Sequence, residues 1–489
     1  MTDIKQKTKI GILWNILEKI AVQGISFALN IILARLLSPH DYGTIGMLTI
    51  FLTFSNVFID SGFSRALIQK QDRTEYDYST VLIFNIIVSC VLYLILFFAS
   101  PTIAFFYKTP ELLSLQRVFF LVIILNSLTV VQNSQLQIKV DFKSIAIINS
   151  ITTLFSGVIA VIFAYKSFGP WALVIQALTR ALVSVILFWL LGHWLPHTGF
   201  SFDSFKKLFG FGSKLLASGL LSTTITNINN LVIGKIYNPE SLGFYTRAQQ
   251  FPELTSGTLN SVLNNSTFPM MAALQNESKE LIHTFRRLIK LTALLVFPAM
   301  MGLAVLSKPI ILVLLGDKWL PSAYLLFWLA LSYIFTPLSS LNLNLLNAIG
   351  RSDLFLKIDL SKIPIIFATM AITFPISLKA VVIGKCVTAF IYFYMNAFLI
   401  GRLYGFGAFK QLLCCWKGII ATIIMGLTVF AFSCIIENIF LQLLFGIIIG
   451  IIAYTIVLII LKEEELVIFK KKIYEKLTKI NERNSNTEV

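Results

Sequence analysis

Six basic side chains fall inside long apolar runs of this 489-residue sequence: Lys19, Arg117, Arg180, Arg247, Lys362 and Lys385. Four acids share such surroundings, namely Glu18, Asp60, Glu253 and Asp359. An ionised group in hydrocarbon costs about 2.5–3.5 kcal/mol on insertion scales, so it faces a cavity or a partner. Cations outnumber anions here, which suits a cavity for a phosphate-bearing anion. Arginine grips phosphate with a planar pair of donors, and lysine acts as a point charge.

Each residue has a bland reading beside the sharp one. Lys19 stands about 12 Å into its run at 1.5 Å per residue, and its neighbour Glu18 cannot face it on a helix. Arg247 belongs to YTRAQQF with Gln249 and Gln250; it either meets a ligand or snorkels to the interface. Arg180 and Lys385 are mid-span and could be ligand cations or structural ones bonded to carbonyls. Arg117 is close enough to an interface to snorkel. Asp359 and Lys362 are spaced to pair with each other; separating them would make a protonation switch. Asp60, in DSGFSRAL five residues before Arg65, reads first as a cap or inter-helix pair at a gate and second as a coupling-ion ligand. Glu253 follows Pro252, where a broken helix admits water, and is a candidate for H⁺ or Na⁺.

Neutral polar residues are also concentrated. STTITNINN (222–230) carries Asn227 and Asn230, and TSGTLNSVLNNST (255–267) carries Asn260 and Asn264. Such density exceeds what helix packing needs and suits a wet wall with hydrogen bonds for hydroxyls. SSLNLNLLN (339–347) reads instead as packing.

The elements that carry these residues are membrane spans. Hydrophobic residues make up 56% of the chain and charged ones only 13%, with mean hydropathy +0.81, where soluble domains carry about a quarter charged. Fourteen spans are expected, near 12–37, 42–64, 79–104, 113–136, 144–165, 171–194, 215–237, 240–270, 286–307, 320–348, 355–376, 379–401, 416–436 and 439–461. The fold class is therefore all-α membrane protein, and the basic tail reads as a surface helix. The first run is too long and polar for a signal peptide and is read as a retained helix.

Charge gives these spans an orientation. With the N-terminus in the cytoplasm, 27 of the 40 lysines and arginines fall inside, 7 fall outside and 6 lie within spans. That alternation obeys the positive-inside rule along the whole chain and places both termini in the cytoplasm. The net charge of +16 thereby becomes a membrane feature, and nucleic acid is not an expected partner. LARLLSPHDYG (33–43) aligns without gaps on IGKIYNPESLG (233–243), and ALVI (172–175) on AVVI (380–383). An even number of spans per repeat means two lobes of like orientation, related by an axis along the membrane normal. The expected divisions are a six-helix lobe (1–200), a second six-helix lobe (201–405), helices 13 and 14 (406–462) and a basic cytoplasmic tail (463–489). Prolines 252, 298, 337 and 364 sit within spans of the second lobe, whereas those of the first lobe fall at span ends.

The run ILARLLSPHDYGTIGM followed by DSGFSRALIQKQDRTEYDYSTVLIFN resembles the polysaccharide-transporter branch of the multidrug/oligosaccharidyl-lipid/polysaccharide exporter superfamily. FFYKTPEL (105–112), DFKSIAI (141–147), FGPWALVIQ (168–176) and LGFYTRAQQF (242–251) extend the likeness, which is greatest to WzxC-like lipopolysaccharide biosynthesis flippases. The resemblance implies two six-helix lobes around a cavity that opens alternately to each side. It implies a cargo of undecaprenyl-pyrophosphate-linked oligosaccharide, such as an O-antigen, capsule or exopolysaccharide unit, crossing a bacterial inner membrane. Lys19, Arg247, Arg180 and Lys385 would then meet the pyrophosphate, and the four asparagines the sugar. A polysaccharide polymerase and other assembly proteins are expected partners besides membrane lipids.

Alternatives within the fold are a cation-coupled drug exporter and a peptidoglycan-precursor flippase. A membrane polymerase or ligase is disfavoured, because the longest outer loop is about a dozen residues. No phosphate-binding G-x-x-x-x-G-K-[ST] motif occurs, and His193 and His197 lack acidic or cysteine companions. Five cysteines form no framework and read as packing residues. No enzyme activity and no cofactor are expected, apart from coupling to H⁺ or Na⁺.

Overall fold

The computed structural model describes residues 21–60, 62–192 and 194–465, and among these every regular element is helical. The spans are α1 (Ala21–Leu36), α2 (Pro39–Gln69), α3 (Glu75–Phe98), α4 (Leu112–Ile138), α5 (Phe142–Tyr165), α6 (Trp171–Gly192) and α7 (Phe202–Ile236). They continue as α8 (Pro239–Ala273), α9 (Ser278–Val305), α10 (Pro321–Ala348), α11 (Ser352–Thr373), α12 (Leu378–Tyr404), α13 (Trp416–Ile435) and α14 (Ile439–Ile460). Ten of these are long and apolar enough to cross a membrane, and α7 makes eleven when its bent halves count as one span. The remaining three, α1, α8 and α11, coincide with expected spans, so the arrangement is compatible with fourteen. Lys19, Glu18 and the basic tail lie outside the described residues.

Helix ends follow local chemistry. Ser38 and Asp41 cap α2 by exchanging bonds of 2.7–3.2 Å, with Pro39 in the first turn, where its missing N–H costs nothing. Thr74 and Asp77 form a capping box on α3. Asp141 caps α5, Ser377 caps α12 and Asn438 caps α14 through their side chains. Apolar faces left exposed on α14, including Ile447, Ile451 and Ile459, are those a lipid phase would cover.

Of the four second-lobe prolines, Pro337 alone marks a break, where α10 divides. α9 and α11 run on through Pro298 and Pro364. α4 instead divides at Phe120 and again after Ser127. At the second break the Ser127 and Thr129 hydroxyls donate to carbonyls three residues back, a local bond that competes with the helical ladder. α2 breaks at Gly62, whose φ of 69° belongs to the left-handed region. α7 bends by 51° between Gly210 and Leu215. These two irregularities meet, since a Cβ on Gly62 would stand 2.9 Å from the Gly212 carbonyl oxygen.

The chain divides into two compact units, residues 1–246 and 247–489. In the second, α9 is central to a core of Phe285, Ile289, Val296, Leu341 and Phe393. The last two spans are held to it closely. Gly418 and Gly426 admit Leu294 and Met301 of α9, Tyr454 donates to the Leu294 carbonyl at 2.8 Å, and Lys290 pairs with the buried Glu463 at 2.6 Å.

Candidate functional site

Three helices of the second unit bring together residues that sequence spacing cannot connect. Glu253 on α8 is exposed and accepts a hydrogen bond of 2.9 Å from the Tyr333 hydroxyl on α10. One turn earlier on α8, the Gln249 side-chain amide donates to the same carboxylate oxygen. The Lys385 ammonium on α12 stands 5.5 Å from the centre of the Tyr333 ring, within the range of a cation–π attraction. A carboxylate and an ammonium are thus linked through one phenol. Such a set can bind an anion at the lysine, a proton or cation at the acid, and pass an electrostatic change between them.

Arg247 lies at the head of this segment and donates from Nη1 to the Gln250 side-chain oxygen at 2.7 Å. Its half-buried position, one turn and a half before Glu253, fits the YTRAQQF pattern. On α11, Lys362 and Asp359 form the i,i+3 ion pair at 2.7 Å, and the Lys362 ammonium also lies 5.7 Å from the Tyr392 ring centre on α12. Asn260 donates weakly to Ser256 at 3.4 Å. Its side-chain oxygen is buried with no hydrogen-bond partner among the described residues. The side chain of Asn264 lies outside the described positions.

The remaining predicted residues are dispersed in the first unit. Asp60 is exposed at the break of α2 and makes no ion pair with Arg65 among the described residues. Arg180 is exposed on α6, so the repeat-related cations Arg180 and Lys385 do not share a setting. Asn227 donates back to the Thr223 carbonyl at 3.0 Å, and Asn230 is half-buried on the same helix. Arg117 is anchored by the Ser100 hydroxyl at 3.1 Å and the Phe97 ring at 4.5 Å, a structural setting.

The two copies of the internal motif touch. A Cβ on Gly43 would overlap the carbonyl of Pro239, and one on Gly243 would overlap the carbonyl of Pro39. Each helix start therefore abuts the glycine of the other copy, and only glycine permits that approach. The caps differ: Ser38 with Asp41 in one, and Asn238 accepting from the Ser241 amide at 2.7 Å in the other. Beside the first copy, Glu111 accepts from Thr44 at 3.0 Å and stands 3.6 Å from His40.

The stretch QDRTEYDYST has a mechanical task. Asp77 is fully buried, pairs with Lys70 at 2.6 Å and accepts from the Thr74 amide. Its neighbours hold the segment after α6. Glu75 accepts from the Trp194 indole at 2.7 Å, Ser79 bonds Thr198 at 3.0 Å, and Thr80 accepts from the Ser201 amide at 2.9 Å.

Tyr333 is the residue that sequence reasoning missed. Its only signal is position, three residues before Thr336-Pro337 where α10 breaks into two helical pieces. A tyrosine in an apolar run does not announce a carboxylate partner 80 positions away.

Comparison with known proteins gives these helices a context. A family described as polysaccharide biosynthesis protein matches residues 32–324. The teichuronic acid biosynthesis protein TuaB of Bacillus subtilis is 27% identical over 72% of this chain and 74% of its own length. The succinoglycan biosynthesis transport protein ExoT of Rhizobium meliloti is 26% identical over 93% of this chain and 92% of its own. The lipopolysaccharide biosynthesis protein WzxC of Escherichia coli is 23% identical over 65% of each. Among solved structures, the lipid II flippase MurJ in an inward closed conformation superposes with TM-score 0.71, at 17% identity over 94% of this chain and 99% of that one. An inward-facing multidrug resistance transporter of the MATE family, MOP superfamily, gives 0.59 at 14% identity, covering 80% and 100%. At these identities the structural likeness is one of fold.

Proposed function

Because the chain belongs to the polysaccharide biosynthesis protein family, we propose that it is a flippase for undecaprenyl-pyrophosphate-linked oligosaccharide. It carries the repeat unit of a cell-surface polysaccharide across a bacterial inner membrane by alternating access, with both termini in the cytoplasm. The observation that carries this reading is the match over 93% of the chain to a protein named for transport in succinoglycan biosynthesis. The cargo's pyrophosphate calls for cations and its sugars for neutral hydrogen-bonding groups. Arg247, Lys385, Arg180 and Lys19 are the proposed cations, and Asn227, Asn230, Asn260 and Asn264 the proposed sugar contacts.

Asp60, Glu253, Asp359 and Lys362 are proposed for gating or ion coupling. Glu253 is the favoured H⁺ or Na⁺ ligand, because its carboxylate is exposed while bonded to Tyr333 and Gln249. Protonation there would weaken its hold on donors and alter the field at Lys385. The chain acts as a carrier and not as an enzyme, and it hands its cargo to a polysaccharide polymerase on the far side. A peptidoglycan-precursor flippase shares the fold, but the relatives' names favour surface polysaccharide.

The direct test places the purified chain in vesicles loaded on one face with lipid-linked oligosaccharide and measures its passage to the other face. Wild type should move the glycolipid, while Arg247→Ala and Lys385→Ala should lose about ten-fold or more of that rate. Movement of lipid II but not of the longer glycolipid would reject the reading.

A further inference from the structure

The cytoplasm-facing basic residues assigned by the positive-inside rule are not all alike on α9. Arg287 pairs with Glu465 at 3.0 Å and Lys290 with Glu463 at 2.6 Å. Among the described residues, no carboxylate lies within ion-pair distance of Lys279, His283 or Arg286 on the same helix. Those three basic side chains, with Ser278, Ile282 and Tyr404, line a cavity of about 360 Å³. That volume is within the range of about 300–1,000 Å³ found for small-molecule pockets. Arg286 is held at its wall by the buried Phe406 ring, 4.9 Å from the guanidinium carbon.

Position narrows the ligand. Ser278 is the first residue of α9 and Tyr404 the last of α12, so the cavity lies at the ends of two spans. The first-turn amides of α9 add their partial positive charge to the same place. Ile282 and the Tyr404 ring supply an apolar wall that a free inorganic anion would not need. Basic pockets between spans at headgroup level suit anionic lipids. We propose that this cavity is a binding site for the phosphate headgroup of an anionic phospholipid, separate from the residues assigned to cargo. The headgroup phosphate meets Arg286 and Lys279, and the Ser278 and Tyr404 hydroxyls donate to its oxygens. Lipid bound there would brace the ends of α9 and α12 against each other.

The experiment uses the purified full chain and native mass spectrometry with phosphatidylglycerol, phosphatidylcholine or inorganic phosphate as probes. Wild type should retain phosphatidylglycerol in preference to phosphatidylcholine. The double substitution Lys279→Gln with Arg286→Gln should weaken phosphatidylglycerol about ten-fold or more. Arg286→Lys, which keeps the charge, should lose only two- to three-fold, roughly the difference between a forked and a point donor. Lys308→Gln, at the other end of α9, should leave binding unchanged. Unaltered retention in the double variant, or equal loss in Lys308→Gln, overturns the proposal. So does a loss in Arg286→Lys as deep as in the double variant, which would assign the effect to packing on Phe406. Inorganic phosphate displacing the lipid at equal concentration would make this a free-anion site and overturn it as well.

Discussion

Several polar groups inside the first unit are neutral and bonded to one another, while the second also links ionisable groups across its helices. Between α3 and α4, Ser89 bonds Ser127 at 3.0 Å. Asn126 donates to Asn56 at 3.1 Å, and Gln132 donates to the Trp194 carbonyl at 2.8 Å. Gln116 reaches the Ser100 carbonyl at 2.6 Å. These contacts fasten helix to helix, each worth around a kilocalorie or less. In the second unit, Glu253, Tyr333 and Lys385 join three helices around an accessible carboxylate, and Lys362 pairs with Asp359. That unit also holds a neutral clasp, Asn342 exchanging bonds of 2.8 and 3.0 Å with Gln411. The difference teaches that polarity alone does not single out the proposed site; a charged set joined across helices does.

The comparison can be broken at its framework or at its charges. The largest effect is expected from Gly43→Leu or Gly243→Leu, where even a Cβ overlaps a proline carbonyl; cell-surface polysaccharide should be abolished in a complementation assay. Next, Glu253→Ala and Lys385→Ala should each cut glycolipid flipping about ten-fold with protein level unchanged, and the pair together should lose little more than either alone if they act through Tyr333. Tyr333→Phe removes the hydroxyl and keeps the ring, so a loss of about three-fold is expected, roughly one hydrogen bond. Ser89→Ala should leave flipping within about two-fold and lower thermal stability by around a kilocalorie. An equal loss of flipping in Ser89→Ala and Glu253→Ala would erase the contrast between the units. The mildest test concerns reachability. Burial pushes the Cys415 thiol up to about 12, so it stays protonated and inert to maleimide from pH 7 to 9.

The helical membrane architecture was readable because the solvent writes it into composition: each apolar run had to be long enough for hydrocarbon. α8 was the hardest span to read, being polar and interrupted by Pro252, yet it is one helix of 35 residues. The i,i+3 spacing of Asp359 and Lys362 exposed their pairing, since helical geometry alone dictates it. Contacts between distant segments left no comparable trace. Tyr333 and Gln411 look like ordinary members of their runs, and only folding brings Glu253 and Asn342 to them. Arg180 and Lys385 both read as mid-span cations, but their surroundings differ, Arg180 being exposed on α6 and Lys385 standing beside the Tyr333 ring. The QDRTEYDYST signature identified a family without disclosing that it straps the segment leading into α7.

The crossed contact of Gly43 with Pro239 and Gly243 with Pro39 bears on how these two motifs can vary. Elsewhere the two aligned motifs differ, as the unlike caps of α2 and α8 show. At this crossing they do not, for each copy's glycine makes room for the other copy's backbone. A heavier residue in either half would have to be answered by retreat in its twin. Positions 39, 43, 239 and 243 should therefore behave as a single inherited character, and recombinants that combine halves from distant relatives should fail there first.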